Sequence, residues 1–438
     1  MGTIEACQLT STKLKRITWL SEQDSEKEFH CLMHLFNEES LTECFYELDA
    51  KKAVGIDGIN KVMYGRDLVN NIKKLMCNMK NMAYRPNPVR EVLIPKEGKP
   101  GATRPLGISI LEDKIVQKMV QKILESIYEP IFLGCSYGFR PGKSCHDAIK
   151  DLSNYLYKNN IQTVIDIDLK NFFGTIDHEL MSQILEIKIK DTRFMRYIKR
   201  MFKAGILSDG ELTISEEGVP QGSICSPILA NVFAHYAIDL WIKDMVKSHC
   251  KKGVELFRYA DDAIICCHCK EEAIKIKDTL VKRLEKFKLE LNVDKTKLVS
   301  FDKVAMKQGI PQDTFDFLGF TFYLGTSKTG RIIPKLKTKS KSLKSKLKKV
   351  ALWFKGIKNQ KPMKTIWSLF CSKIRGHIQY YGVSHNYDEV YKFFREATRI
   401  AYKWLNRRSQ RKSFNWKKFV MFIEKHPLPQ VKIVHKLF

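Results

Sequence analysis

No run of apolar residues in this 438-residue chain approaches membrane-spanning length, since about 20 successive apolar residues are needed to cross a bilayer as a helix. The start, Met1-Gly2-Thr3-Ile4-Glu5-Ala6, lacks a basic stretch leading into an apolar core, which argues against an export signal. Ala6 also stands where an acylation pattern wants Ser or Thr. Twelve cysteines are present, but no Cys-x-x-Cys pair faces a second one, so a structural zinc site lacks its ligands. In the densest cluster, Cys266-Cys267-His268-Cys269, strand geometry would alternate the side chains between faces, and burial is the expectation. Scattered cysteines of this kind fit a reducing cytoplasm. No internal repeat is visible, which excludes solenoids and propellers. Acid is also scarce: 48 Asp and Glu face 76 Lys and Arg, a net charge of +28. The expectation is a soluble, cytoplasmic chain with no membrane partner and a polyanion, nucleic acid, as its ligand.

The chain is too long for one hydrophobic core, and its 44% hydrophobic content is ordinary, so two or more packed domains are expected. Residues 41–85 read as helical, interrupted by the glycine loop Val54-Gly55-Ile56-Asp57-Gly58. A short strand, Val89 to Ile94, precedes Pro95 and the turn Glu97-Gly98-Lys99-Pro100-Gly101. Ile115, Met119, Ile123 and Ile127 recur every fourth position, one face of a helix ending before Pro130. Thr163 to Leu169 is β-branched and alternating, which predicts a strand with Asp166 and Asp168 on one face. Helices are expected from His178 and from Pro227 to Trp241, giving a mixed α and β region up to about residue 325. Beyond it, eight lysines crowd residues 335–349, followed by aromatic-rich segments with Trp353, Phe354, Trp367, Phe370, Tyr380 and Tyr381; basic helices over 335–405 that border a polyanion account for both.

The chemistry concentrates at Tyr259-Ala260-Asp261-Asp262, between two strand-like runs, Val254 to Phe257 and Ala263 to Cys267. Adjacent carboxylates at a hairpin turn resist joint ionisation unless a cation offsets their charge, so the pair reads as part of a divalent metal site. A third carboxylate would complete a two-metal site; local pattern offers Asp168 or Asp166 equally.

These residues belong to a longer series of blocks that resembles the group II intron-encoded reverse transcriptases, the maturase class. In order they are Val54 to Gly58, Ile94-Pro95-Lys96, Arg104-Pro105-Leu106-Gly107-Ile108, Ser136 to Gly142, Asp168-Leu169-Lys170-Asn171-Phe172-Phe173, Gly218-Val219-Pro220-Gln221-Gly222-Ser223, the Tyr-Ala-Asp-Asp tetrapeptide, Asp294-Lys295-Thr296-Lys297 and Phe317-Leu318-Gly319-Phe320. Trp404 to Gln410 also looks familial. The resemblance implies an α+β, right-hand polymerase. It would have an N-terminal extension over 1–40, fingers and palm over 41–325 with an antiparallel palm sheet and catalytic hairpin, an α-helical thumb over 326–405, and a short basic segment over 406–438. Residues 1–40 are open between contacting the template and packing as a helix.

The resemblance also selects Asp168 over Asp166 as the metal ligand beside Asp261 and Asp262, and implies two Mg²⁺ ions. Lys96 and Arg104 match the family's triphosphate contacts, Phe173 its steric gate against ribonucleotides, and Gln221 with Gly222 the loop against the incoming nucleotide or primer end. Lys295 is placed like the lysine that would protonate the leaving pyrophosphate. The implied reaction is RNA-directed DNA synthesis from deoxynucleotides on a DNA primer or target, with an RNA template that is an intron or another structured RNA, and assistance to splicing and retrohoming. A domesticated enzyme working with a noncoding RNA, as in phage defence, and a maturase whose main role is RNA binding are the alternatives. Gly174 and Asn171 depart from the family pattern at positions that bind no metal, and the lack of cysteine after Cys371 predicts no HNH-type endonuclease module.

Overall fold

The computed structural model describes residues 2–95, 101, 103–208, 211–218, 222–408 and 415–437. Three sheets organise the chain. The first contains β1 (Val89–Pro95), β2 (Thr103–Ile108), β4 (Ile206–Ser208) and β5 (Glu211–Thr213) in the order β2-β1-β4-β5. The second contains β3 (Thr163–Ile167), β6 (Val254–Tyr259), β7 (Asp262–Cys267) and β8 (Lys297–Ser300), antiparallel in the order β6-β7-β3-β8. β9 (Phe315–Phe317), β10 (Phe320–Thr326) and β11 (Ile332–Thr338) form the third, also antiparallel. With long helices flanking these sheets, the architecture is the expected α+β, right-hand polymerase: fingers around the first sheet, palm around the second, thumb beyond the third.

The second sheet lies between two hydrophobic cores. Ile165, Ile167, Leu256, Ala263, Ile265 and Cys267 pack into one with the palm and fingers helices, including Leu111–Tyr128. Val164, Phe257, Ile264, Cys266 and Val299 pack into the other with Phe320 of β10 and with Phe354, Trp367 and Phe370 of the thumb. Strand periodicity of two produces this division. Cys266 and Cys267 accordingly enter opposite cores, and both are buried.

Three local expectations require correction. The strand expected over 163–169 ends at Ile167, because Asp168 leaves the ladder: its N–H donates to Thr296 Oγ1 at 3.3 Å and its carbonyl accepts from Asn292 N–H at 2.8 Å. The helix expected over 227–241 is α-helical only over Ser226–Ala234 and then widens into π turns at His235–Asp239 and Ile242–Val246. The lysine block does not open on a helix. Lys335 and Lys337 lie on β11, alternating with buried Pro334, Leu336 and Thr338, and the first thumb helix is Ser340–Ile357. Lysines two apart point to opposite sides of a helix but to one side of a strand.

The boundary expected at 325/326 falls inside β10, which pairs with β9 on one side and β11 on the other. Residues Gly2–Gln23 are helical; Ile17 is buried, and Ser21 Oγ donates to the Ile127 carbonyl at 2.6 Å, fixing this helix against Leu111–Tyr128. At the other end, Trp416–Lys425 packs back on the thumb: Phe419 is buried, and Trp367 Nε1 donates to the His426 carbonyl at 2.9 Å.

Within the thumb, His377 is stacked on Phe393 with ring centres 3.5 Å apart and on Tyr381 at 4.7 Å. Neither ring nitrogen has a hydrogen-bond partner among the described residues. Burial, aided by the Lys346 charge, pushes its pKa down to about 3. The folded state therefore holds the neutral ring, and stability present above the unfolded pKa of about 6.5 is lost as pH falls towards that folded value, at about 1.4 kcal/mol per pH unit. Between pH 7 and pH 5 the wild type should lose about 2 kcal/mol more stability than His377→Phe, which cannot titrate. Urea unfolding at the two pH values measures this, and parallel losses would refute the assignment.

Candidate active site

The hairpin that bears Asp261 and Asp262 forms because β6 and β7 pair from Val254↔Cys267 to Tyr259↔Asp262, leaving Ala260 and Asp261 as the two turn residues. Ala260 has φ of +58°, a left-handed conformation that is uncommon for a residue with a Cβ. β3 lies on the other side of β7, with Ile167 opposite Ala263. Asp168 follows Ile167 outside the ladder, near enough that its charge helps raise both Asp261 and Asp262. The three carboxylates expected from the sequence thus lie at one end of this sheet, with Asp261 and Asp262 placed by the turn.

The charges interact. Asp262 is pushed up to about 6 by desolvation, then by the Asp261 and Asp168 carboxylates. Asp261 is also raised, by desolvation and then by Asp168. Solvent reaches both side chains at the hairpin tip, yet the surrounding protein and the like charges are close enough to disfavour ionisation. Asp166 rises to about 6 through desolvation and the charges of Asp262, Asp316 and Asp168, so it borders the same acidic patch.

Two cations border this patch: Lys339 Nζ lies 3.1 Å from Asp316 Oδ2, and Lys295 Nζ donates to Asp168 Oδ2 at 2.6 Å. The contact arises because the segment after Leu291 wraps Asp168 through Asn292 N–H and Thr296 Oγ1, placing Lys295 alongside. Among the described residues, no three acidic, histidine or cysteine side chains converge closely enough to enclose an ion. The donor set nevertheless fits a hard divalent cation: oxygen ligands only, with Asp261 and Asp262 crowded until they resist their charge.

The remaining predicted contacts surround this end of the palm. Phe173 sits in the short turn after Asn171 and meets Phe139 edge-on at 6.3 Å; Phe139 lies 6.4 Å from Tyr259, so an aromatic chain links the expected sugar gate to the hairpin. Gly218 approaches Gly174 so closely that a Cβ would sit 3.1 Å from the Gly174 carbonyl oxygen. Gly222, at φ of +109°, lies against β2, where a Cβ would meet the Gly107 oxygen at 2.5 Å. Only glycine permits that approach. Arg104 is exposed on β2, opposite Ile94. Lys96 and Gln221 lie outside the described residues.

Two parts of the site were missed as functional candidates. Gly138 carries no side chain because the hairpin turn occupies that space: a Cβ there would be 2.4 Å from the Ala260 nitrogen. Arg258 is buried directly beneath the turn. Its sequence signal was a lone arginine at the end of the apolar run Val254 to Phe257.

Comparison with known proteins follows the same outline. Residues 94–322, more than half of the chain, match the family described as reverse transcriptase (RNA-dependent DNA polymerase). The protein YkfC of Escherichia coli K12 is 30% identical over 357 residues, covering 74% of this chain and 91% of that protein. The group II intron-encoded protein LtrA of Lactococcus lactis subsp. cremoris is 30% identical over 227 residues, 52% of this chain but only 37% of its own length. An uncharacterized 91 kDa protein in the cob intron of Schizosaccharomyces pombe is 34% identical over 186 residues, 42% of this chain and 22% of its own. With its carboxylates at a palm hairpin and this family match across fingers and palm, the chain belongs to the reverse transcriptases, the RNA-directed DNA polymerases.

Proposed function

We propose that this enzyme adds deoxynucleotides to a DNA primer with two Mg²⁺ ions held by Asp168, Asp261 and Asp262, and that it binds a structured intron RNA whose splicing and retrohoming it assists. The observation that supports the catalytic part is Ile167 lying opposite Ala263, with the Asp168 charge near enough to raise Asp262. Divalent ions bound there would supply charge neutralisation for the triphosphate and acidify the primer hydroxyl. The chain's own groups do the rest. Arg104 offers a planar guanidinium to the triphosphate oxygens, which suits bidentate recognition. Gln221 and Gly222 would contact the incoming nucleotide or primer end, and Lys96 would supply a second positive charge. Lys295, held through Asp168, carries a proton on Nζ that can pass to the departing pyrophosphate. The RNA part rests on the basic thumb and on the intron-encoded relatives.

Primer extension on an RNA template with deoxynucleotides tests the reaction, and Phe173→Ala tests the gate. Removing the ring should raise incorporation of ribonucleotides relative to deoxynucleotides on the order of 10²-fold, the discrimination a tight apolar contact can supply. An unchanged ratio would return Phe173 to a packing role. Splicing of the flanking RNA with and without the protein tests the maturase part.

A further inference from the structure

The turn that bears Asp261 and Asp262 is held by a charge that the reaction does not touch. Arg258 is completely buried, and all five of its N–H donors are used. Nε donates to Asp239 Oδ1 at 2.7 Å and Nη2 to Asp239 Oδ2 at 2.6 Å; Nη2 also donates to Ser136 Oγ at 2.7 Å. Nη1 donates to Asn231 Oδ1 at 3.2 Å and to the carbonyl of Ala260 at 3.0 Å. The last bond reaches the residue whose left-handed φ shapes the turn.

The same partners hold the other side of the turn. Asn231 Nδ2 donates to the Gly138 carbonyl at 2.6 Å, and Gly138 abuts the Ala260 nitrogen. Backbone bonds from Tyr137 N–H to the Arg258 carbonyl at 2.9 Å and from Arg258 N–H to the Cys135 carbonyl at 2.8 Å complete the enclosure. Asp239 ends the first π turn of the helical stretch, and with Arg258 it forms an ion pair shielded from solvent.

A buried ion pair contributes little net stability compared with apolar residues of similar volume. Its use must therefore be sought in what it orients. We propose that Arg258, paired with Asp239, is a positioning residue that sets the Ala260 turn and thereby the spacing of the Asp261 and Asp262 carboxylates for metal binding. This inference rests on the reading of those aspartates as metal ligands. Lysine could not substitute, since it offers three donors where five are used and has no fixed planar fork.

The test compares Arg258→Lys with the double variant Arg258→Met plus Asp239→Leu, which removes both buried charges together. Mn²⁺ binding is followed by electron paramagnetic resonance, thermal unfolding by circular dichroism, and kcat and the deoxynucleotide KM by primer extension. In folded variants, Mn²⁺ affinity and kcat should each fall about 10- to 100-fold, the usual effect of removing a group that orients a metal ligand, while KM stays within about twofold. Wild-type Mn²⁺ affinity and kcat in a folded variant would overturn the proposal. Ser136→Ala, lacking one hydroxyl, keeps the question decidable if the larger changes unfold the protein: it should weaken Mn²⁺ binding in the same direction, and no change would count against the clamp. Asp261→Ala with Asp262→Ala separates the two ideas, because retained Mn²⁺ binding in that variant would refute the metal-site reading itself.

Discussion

Asp261→Ala combined with Asp262→Ala should reduce primer extension by at least about 10³-fold, a loss of about 4 kcal/mol of transition-state stabilisation, with the fold intact. The size follows from the role. Both residues sit at the exposed tip of the β6–β7 hairpin, so their removal opens no cavity. It also removes the desolvation cost and the like-charge repulsion that together raise Asp262 to about 6, and the variant should be at least as stable as the wild type. A more stable, inactive protein is the signature of groups kept for chemistry. Undiminished extension would sink the catalytic assignment, and a destabilised variant would sink the account of the site's electrostatics.

Binding to an RNA–DNA hybrid should weaken on the order of 10³-fold or more between about 50 and 200 mM salt, because displaced counterions accompany each neutralised phosphate. Lys341, Lys344 and Lys348 are exposed on the first thumb helix, opposite the buried Leu343, Val350 and Phe354. Their three- and four-residue spacing puts them on one side, available to a phosphate backbone. Replacing all three by Gln should lower the slope of log affinity against log salt by about 2 to 3 and weaken every sequence alike. Filter binding across a salt series measures both. An unchanged slope would move the nucleic acid off this helix.

Much of the site was legible because its elements are short and sharply bounded. The hairpin is flanked by apolar runs, and the helix Leu111–Tyr128 shows its four-residue spacing openly. Asp168 and Asp166 could not be told apart locally, since alternation gives both the same face; what separates their surroundings is β3 ending at Ile167 and partners of Asp168 more than a hundred residues away. The π turns left no sign because widening a helix by one residue changes no composition. β11 could have been read: its lysines recur every second residue, a strand period, but their number drew attention to charge instead. Arg258 and Asp239 were also readable in hindsight, as isolated charges in apolar runs whose meaning appears only when the runs pack together.

The palm sheet's position between two cores has an evolutionary consequence. Val164, Phe257, Ile264 and Cys266 share one core with Phe354, Trp367 and Phe370 of the thumb, so a gene shortened before the thumb would open part of that shared core to water. Loss of nucleic-acid grip by truncation would then also cost solubility of the chemical centre. Such a polymerase cannot be pared down to its reacting half, and descendants that abandon copying should retain the thumb or lose both parts together.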